Sequence, residues 1–211
     1  MEESHDLHPF QLDILQEAGN IGAAHAATSL SKLLDRKIQM DVPFVRTVML
    51  QEMEALVGGA ETCVAAAFMK ISGDAPGRMF LVFQQDEAKE LAAYLTGKSL
   101  DYPILLMDEM GVSSLQELAN ILAGAYLSAI ADFTSIWMQP SPPLLAIDMA
   151  GALLSEGIAE LFQSSDAALV IDTVLNTTKG SKDITVAGKV FFVPEPGTFA
   201  TICQALGDGL L

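Results

Sequence analysis

The sequence predicts a mixed α/β (α+β) fold: a single pseudo-two-fold-symmetric domain with a largely antiparallel sheet and two long motif-bearing helices. Three observations support this prediction. A polar signature occurs twice, 100 positions apart; the order helix, strand, hairpin, helix also occurs twice; and no Pro-, Ser- or Gly-rich linker separates the halves. We therefore expect one domain over residues 1–211, formed by internal duplication of repeats at about 8–100 and 105–211.

The first repeat begins with a helix predicted over residues 10–34. Its apolar residues recur every three or four positions and form one stripe: Leu15, Ala18, Gly22, Ala26, Leu30 and Leu33. The other elements of this repeat are a strand, a two-stranded hairpin and a second helix, predicted at 37–50, 61–73, 78–85 and 86–95. We expect Pro43 to mark an edge or a bend, Asp86 to cap the second helix, and Gly97 to end it.

The second repeat follows the same order. Its elements are a helix, a strand, a helix, two strands and a short closing helix, predicted at 107–133, 143–147, 149–162, 167–177, 183–193 and 198–206. The longest apolar stretch, 118–138, is interrupted by Asn120 and Asp132. These two polar residues favour a buried helix over a membrane span.

The charge balance excludes several classes of partner. The chain has 27 acidic residues against 11 basic ones, a net charge of −16, and no Lys/Arg cluster offsets it. Because this field repels nucleic acids and anionic membranes, we expect neither nucleic-acid binding nor membrane insertion. The first residues lack the basic and apolar regions of a signal peptide, so we expect a cytoplasmic protein. Cys63 and Cys203 are isolated and provide no Cys/His spacing for a metal of its own.

The repeated signature has the form [Asp/Ser]-x3-Glu-x2-Asn-x22-Pro. Its two copies are Asp13, Glu17, Asn20 and Pro43, and Ser113, Glu117, Asn120 and Pro143. The local context repeats as well, because Leu-Gln-Glu precedes each Asn in both halves. At about 100° per residue, the first three members of each copy fall within an arc of about 60° on one helix face. Small residues follow along the same face, which predicts a flat surface suited to protein docking.

The chemistry of a Glu and an Asn on one face is incomplete by itself. A carboxylate can act as a general base or hold a cation, and an amide can orient a water molecule. The pair has no nucleophile with an adjacent base and too few ligands for a metal. Such a site makes sense if a partner supplies the phosphoryl group and the metal, because phosphoryl transfer depends mostly on positioning and electrostatics.

The doubled signature resembles that of the CheC family of bacterial chemotaxis phosphatases, in the CheC/CheX/FliY superfamily. Both copies match at every position, and the similarity extends over nearly the whole chain. The resemblance implies a hydrolase that acts on the aspartyl phosphate of the response regulator CheY. It implies that Glu17 and Glu117 pair with the active-site Lys of the receiver, and that Asn20 and Asn120 orient the attacking water. The Mg²⁺ would belong to CheY, so no cofactor of its own is implied.

The resemblance also implies supporting and partner-binding residues. Asp13 and Ser113 would support the helix face, and Pro43 and Pro143 would set the strand that follows. The family binds CheD, the receptor-modifying glutamine deamidase, and segment 144–150 resembles its docking region, with Asp148 the expected polar contact. From the residues alone, Asp148 could equally end a strand and cap the next helix.

Two alternative functions stay open at this point. The chain could be mainly a non-catalytic adaptor that binds CheD and is regulated by phosphorylated CheY, or it could be a flagellar switch component. The intact Glu/Asn pairs favour the enzyme. The switch proteins of FliY type have a further C-terminal domain, which this sequence lacks. We therefore disfavour the flagellar switch component.

Overall fold

The computed structural model describes residues 7–99, 108–158, 167–179 and 182–208. The first half contains α1 (Pro9–Leu34), β1 (Ile38–Asp41), β2 (Val45–Met49), a 3-10 turn (Leu50–Glu52), α2 (Met53–Leu56), β3 (Cys63–Gly73), β4 (Gly77–Gln84) and α3 (Gln85–Thr96). The second half contains α4 (Glu109–Thr134), β5 (Met138–Pro140), β6 (Leu144–Met149), α5 (Ala150–Ile158), β7 (Ala167–Lys179), β8 (Lys182–Pro194) and α6 (Thr198–Asp208). The two halves therefore have the same element order.

Eight strands form one sheet in which every described pairing is antiparallel. The order is β1-β7-β8-β4-β3-β5, with β2 also paired to β7 and β6 also paired to β3. The edge strands of each half thus pair with the other half. The predicted α/β fold with a largely antiparallel sheet is confirmed.

Helices cover both faces of this sheet. One apolar cluster joins one face of the sheet to α1, α3, α4 and α6, and a second joins the other face to the 3-10 turn, α2 and α5. Strand β4 shows the alternation directly, because Met79 and Leu81 belong to the first cluster and Phe80 and Val82 to the second. Since both faces are covered, the central strands are apolar along nearly their whole length.

The two long helices approach each other closely at Gly22. A Cβ atom at this position would lie 2.6 Å from Tyr126 Cδ1 and 3.0 Å from Tyr126 Cα. Tyr126 is buried, and its hydroxyl is 2.8 Å from the Oγ1 atom of Thr173 on β7. Burial raises the pKa of Tyr126 to about 12. The missing side chain at position 22 therefore allows α4 to place this tyrosine between α1 and the sheet.

The strand predicted at 37–50 is interrupted in the structure. Asp41 lies opposite Val174 and Val45 lies opposite Ile171, so three residues face two on β7. This is a bulge, and Pro43 at its centre has no N–H to donate to a ladder. The expected bend at Pro43 is confirmed. The second half has the same interruption between β5 and β6, and β5 was not predicted.

Several predicted boundaries differ from the observed ones. Helix α3 begins at Gln85 with Gln84 as its N-cap, so the prediction of Asp86 as the cap was wrong. Asp86 lies in the first turn, where a negative charge is favourable for a different reason, the helix dipole. Gly97 ends the helix in the left-handed conformation, as predicted. The short 3-10 turn and α2 were not predicted, and the predicted ends at residues 107 and 162 lie outside the described residues.

Helix α4 begins at a charged cap. Asp108 accepts hydrogen bonds from the backbone N–H groups of Met110 and Gly111 and forms an ion pair with Lys98. The hydrogen bond from Lys98 holds the pKa of the Asp108 carboxyl below its usual range. A lowered pKa means that this contribution to stability is present above the ordinary value of about 3.9 and is lost as the pH falls through the lowered pKa.

We therefore expect Asp108→Asn to lower the melting temperature at neutral pH and to lose this effect in acid, once the pH has fallen through the lowered pKa and the wild-type carboxyl is protonated. Asparagine still caps a helix, so the substitution tests the charge alone. Thermal unfolding followed by circular dichroism over this pH range measures the difference. Asp132→Asn, near the other end of α4, is the control and should not destabilise the protein. A difference that persists unchanged in acid would contradict the ion-pair explanation.

Within the described residues, no helix is both long enough and apolar enough to cross a membrane.

Candidate functional site

The signature residues lie on the outer faces of the two long helices. Helices α1 and α4 are each 26 residues long and begin 100 positions apart. The first three residues of both signatures are exposed: Asp13, Glu17, Asn20, Ser113, Glu117 and Asn120. The buried residues of each helix lie on the side that faces the sheet and the other helix. The structure thus brings the carboxylate and the amide together on one accessible face in each half, as expected.

Along the next two helical turns, this face has only small side chains. Ala24 and Thr28 are exposed, and the Thr28 hydroxyl donates to the carbonyl oxygen of Ala24 at 2.8 Å. In the second half, a Cβ atom at Gly124 would meet no atom within 4 Å, and Ser128 is exposed. No side chain in these positions rises far above the helix, so a large partner can approach.

The turn that contains Pro43 is held against α1 by a side chain next to Glu17. The Nε2 atom of Gln16 donates to the carbonyl oxygen of Val42 at 2.6 Å, and Val45 N donates to the Oε1 atom of Gln16 at 2.8 Å. The amide therefore satisfies backbone groups on both sides of Pro43, where the bulge interrupts the ladder. This contact explains physically why a helix residue and a proline more than twenty positions later belong to one site.

The second half contains the equivalent contact in a different form. The Nε2 atom of Gln116 donates to the carbonyl oxygen of Pro143 at 2.9 Å. In the first half, a Cβ atom at Gly19 would lie 3.2 Å from Val42 Cγ1, closer than ordinary contact. The second half has Ala119 at this position. A glycine lets the first turn lie close to its helix, so the two sites are similar but not identical.

Sequence reasoning missed these two glutamines as part of the site. The available signal was the repeated Leu-Gln-Glu, which places a Gln before each Glu. Their partners lie 26 to 29 residues away for Gln16 and 27 for Gln116, and helical periodicity cannot predict such contacts.

The site is a surface rather than a cavity. Two surface cavities of about 220 and 410 Å³ are lined by other residues, and neither includes a signature residue. Among the residues that the structure describes, no group of three or more His, Cys, Asp or Glu side chains could hold a metal ion. An exposed carboxylate and amide on a flat helix face can bind and orient groups that a macromolecular partner presents.

Asp148 lies at the end of β6, opposite Val64 on β3. It is exposed, and its Oδ1 atom accepts a hydrogen bond from Met149 N at 2.8 Å, just before α5 begins. The neighbouring Met149 side chain is 54% exposed. The carboxylate thus has a local structural contact and is also accessible to a partner.

The fold and the doubled helix site define a class of proteins in which two halves with the same element order share one antiparallel sheet. The X-ray crystal structure of Thermotoga maritima FliY has this fold: its TM-score is 0.73 at 19% identity, and the match covers 96% of this chain and 98% of that chain. The family is identified by sequence. A model of the CheC-like family matches residues 10–46 and 110–146, and each segment runs from a signature helix through its proline turn.

Two curated proteins of Bacillus subtilis (strain 168) are similar to the chain. The CheY-P phosphatase CheC is 39% identical over 201 residues, which are 95% of this chain and 95% of that protein. The flagellar motor switch phosphatase FliY is 23% identical over an alignment of 225 positions, which covers 92% of this chain and 59% of that protein. The chain therefore belongs to the CheC-like family.

Proposed function

We propose that this chain is a phosphatase that hydrolyses the aspartyl phosphate of the chemotaxis response regulator CheY. One observation carries the proposal: a Glu and an Asn are exposed one turn apart on two equivalent helices. The similarity to the CheY-P phosphatase CheC of Bacillus subtilis over 95% of both chains supports the same substrate. Since each helix has a complete signature, we propose two active sites per chain.

In this proposal, Asn20 and Asn120 each enter the receiver's active site and orient the attacking water. A side-chain amide can accept a hydrogen bond from the water through its oxygen and donate one through its nitrogen. The water oxygen attacks phosphorus as the bond to the aspartyl oxygen breaks, which gives inorganic phosphate and a free carboxylate. The helix backbone restricts the position of the amide, and this positioning is the main contribution that phosphoryl transfer requires from a protein.

Glu17 and Glu117 would each form a salt bridge with the active-site Lys of the receiver. The carboxylate lies about one helical turn before the Asn on the same face, so one docking event can engage both residues. The negative charge of the chain, −16 overall, also favours encounter with a positively charged group on the partner. The Mg²⁺ would belong to CheY and would neutralise charge on the phosphoryl oxygens.

The other signature residues would support these two pairs. Asp13 and Ser113 lie one turn before the Glu residues on the same exposed faces, and we propose that they support the face that the receiver contacts. Pro43 and Pro143 would shape the turns beside the helices, since each lies in a three-residue interruption of an edge strand.

The direct test is phosphate release from CheY that has been phosphorylated with a small phosphodonor, with Mg²⁺ present. We expect the wild-type chain to accelerate phosphate loss above the spontaneous rate, and we expect Glu17→Lys with Glu117→Lys to remove the acceleration by repelling the receiver Lys. Asp132→Lys, which reverses an exposed charge elsewhere on α4, is the control. If the wild type gives no acceleration, with or without CheD, the adaptor function is the better explanation.

We also propose that CheD docks at the end of β6. The exposed Asp148 carboxylate beside the exposed Met149 side chain favours this location. Titration calorimetry with CheD should show that Asp148→Lys weakens binding, while Asp132→Lys leaves it unchanged. Equal binding by both variants would place the CheD interface elsewhere.

A further inference from the structure

We propose that each receiver-docking surface has an apolar part on the proline turn, in addition to the Glu and Asn on the helix. In the first half this part is Phe44, and Gln16 is the positioning residue that holds it beside Asn20. Leu144 and Gln116 have the same roles in the second half. The inference rests on the proposed function, because its occupant is the receiver domain of the phosphorylated regulator.

Phe44 and Leu144 are unusually exposed for large apolar side chains. They occupy equivalent positions directly after the signature prolines, and 63% of Phe44 and 72% of Leu144 is accessible to solvent. Other exposed apolar residues also occur at equivalent positions, including Leu33 and Phe133 near the far ends of the long helices. What distinguishes Phe44 and Leu144 is their place beside the Glu/Asn faces.

The glutamine hydrogen bonds hold the proline turns next to the helix faces that contain Glu and Asn. The Gln16 side chain forms hydrogen bonds with the backbone of Val42 and Val45. Phe44 precedes Val45 in the chain. With one side chain and one hydrogen bond between them, the Phe44 backbone lies within about 10 Å of Gln16. Asn20 is four residues further along α1, about 6 Å along the helix axis. The Phe44 backbone therefore lies at most about 16 Å from Asn20.

This distance decides which exposed residues a receiver must cover. A protein–protein interface of ordinary size buries about 800 Å² on each partner, a patch with a radius of about 16 Å. A receiver whose active site lies over Asn20 covers Phe44 within this radius. Leu33 is thirteen residues from Asn20 along the same helix, about 20 Å away, and lies outside it.

The expected contribution is to binding rather than to chemistry. Phe44 contacts no reacting atom in this arrangement, and burying an aromatic side chain in an interface favours the docked complex before and during hydrolysis alike. The Gln16 amide holds the turn in place before docking, which reduces the ordering cost of association. Loss of either residue should therefore raise KM and leave kcat nearly unchanged.

The test uses the full chain with one site inactivated, so that a single site reports. In the Asn120→Ala background, Phe44→Ala should raise the KM for phosphorylated CheY about tenfold or more, with kcat within about twofold. Gln16→Met has a similar length but cannot form the two hydrogen bonds, and it should raise KM in the same direction by a smaller factor. Leu33→Ala removes a side chain of similar exposure outside the interface and should change neither constant.

The second half is tested in the same way. In the Asn20→Ala background, Leu144→Ala should raise KM, while Phe133→Ala should not. Leu144 belongs to segment 144–150 and lies about 13 Å from Asp148 on β6, so the KM assay omits CheD and CheD binding by Leu144→Ala is measured separately. Melting temperatures of all variants show whether the fold is retained.

Each outcome decides the inference. Unchanged KM for Phe44→Ala and Leu144→Ala, in chains whose remaining Asn site is active, overturns it and leaves the proposed function intact. A fall in kcat at constant KM overturns it as well. Loss of CheD binding, or a change of oligomeric state with KM unchanged, assigns these residues to another partner. No acceleration by the wild-type chain rejects the proposed function and the inference together.

Discussion

The combined substitution Asn20→Ala and Asn120→Ala is expected to reduce phosphate loss from phosphorylated CheY to the spontaneous rate while the protein stays folded. Both side chains are exposed on helix surfaces, and such substitutions usually change stability by less than about 0.5 kcal/mol. The rate of hydrolysis should fall much more than the stability, because misplacing a reacting group by about 1 Å can cost about 100-fold in rate. We therefore expect the acceleration to fall by about 100-fold or more.

The single substitutions rank the two sites. Each leaves one complete signature, so each single variant should keep a measurable share of the wild-type rate. The sites differ in the glutamine contact and at Gly19 and Ala119, so the two shares need not be equal. Single-turnover phosphate release with each variant in excess measures the shares.

Substitutions further along the same faces provide the control. Thr28→Ala with Ser128→Ala removes two exposed hydroxyls about two turns beyond the Asn residues and should leave the rate near wild type. If the double Asn variant retains more than about a tenth of the acceleration, a loss smaller than positioning predicts, the water-orienting role is wrong. Far-ultraviolet circular dichroism of each variant separates loss of chemistry from loss of structure.

Gly22→Ala is expected to destabilise the protein, although alanine is the better helix former. The added methyl group would lie 2.6 Å from the Tyr126 ring and 3.0 Å from its Cα atom, which belongs to the backbone of the opposing helix. The Tyr126 hydroxyl also forms a hydrogen bond with Thr173, so the ring cannot move away without losing this buried contact. Overpacking of this kind costs about 1–3 kcal/mol, which urea unfolding can measure.

Gly124→Ala is the matched substitution on the other long helix. A Cβ atom at this position meets nothing within 4 Å, and the first half already has Ala24 at the equivalent position. We expect this change to stabilise the protein by about 0.5–1 kcal/mol, the ordinary helix preference for alanine over glycine. Opposite signs for the two glycines support the close contact of α1 and α4 at Gly22. Stabilisation by both substitutions would show that the helices can separate at no cost.

Some elements were predictable because their signals are local. The long helices, the hairpins and the glycine that ends α3 follow from periodicity and turn chemistry, which depend on a few neighbouring residues. Pro43 likewise predicted a bend. The prediction failed at Asp86 because an acidic residue suits both the cap and the first turn of a helix, and sequence alone does not separate these positions. Strand β5 is only three residues long and has no periodic pattern of its own.

The candidate site divides in the same way. Sequence alone determined that Glu17 and Asn20 share one exposed face, as Glu117 and Asn120 do, because the helical period sets side-chain directions from within the helix. Only the tertiary structure decided that β1 and β2 pair with β7 and that Gln16 forms hydrogen bonds with the turn at Pro43. Strand partners and backbone hydrogen bonds across a bulge depend on which distant segments meet in the folded chain, and helix periodicity has no information about them.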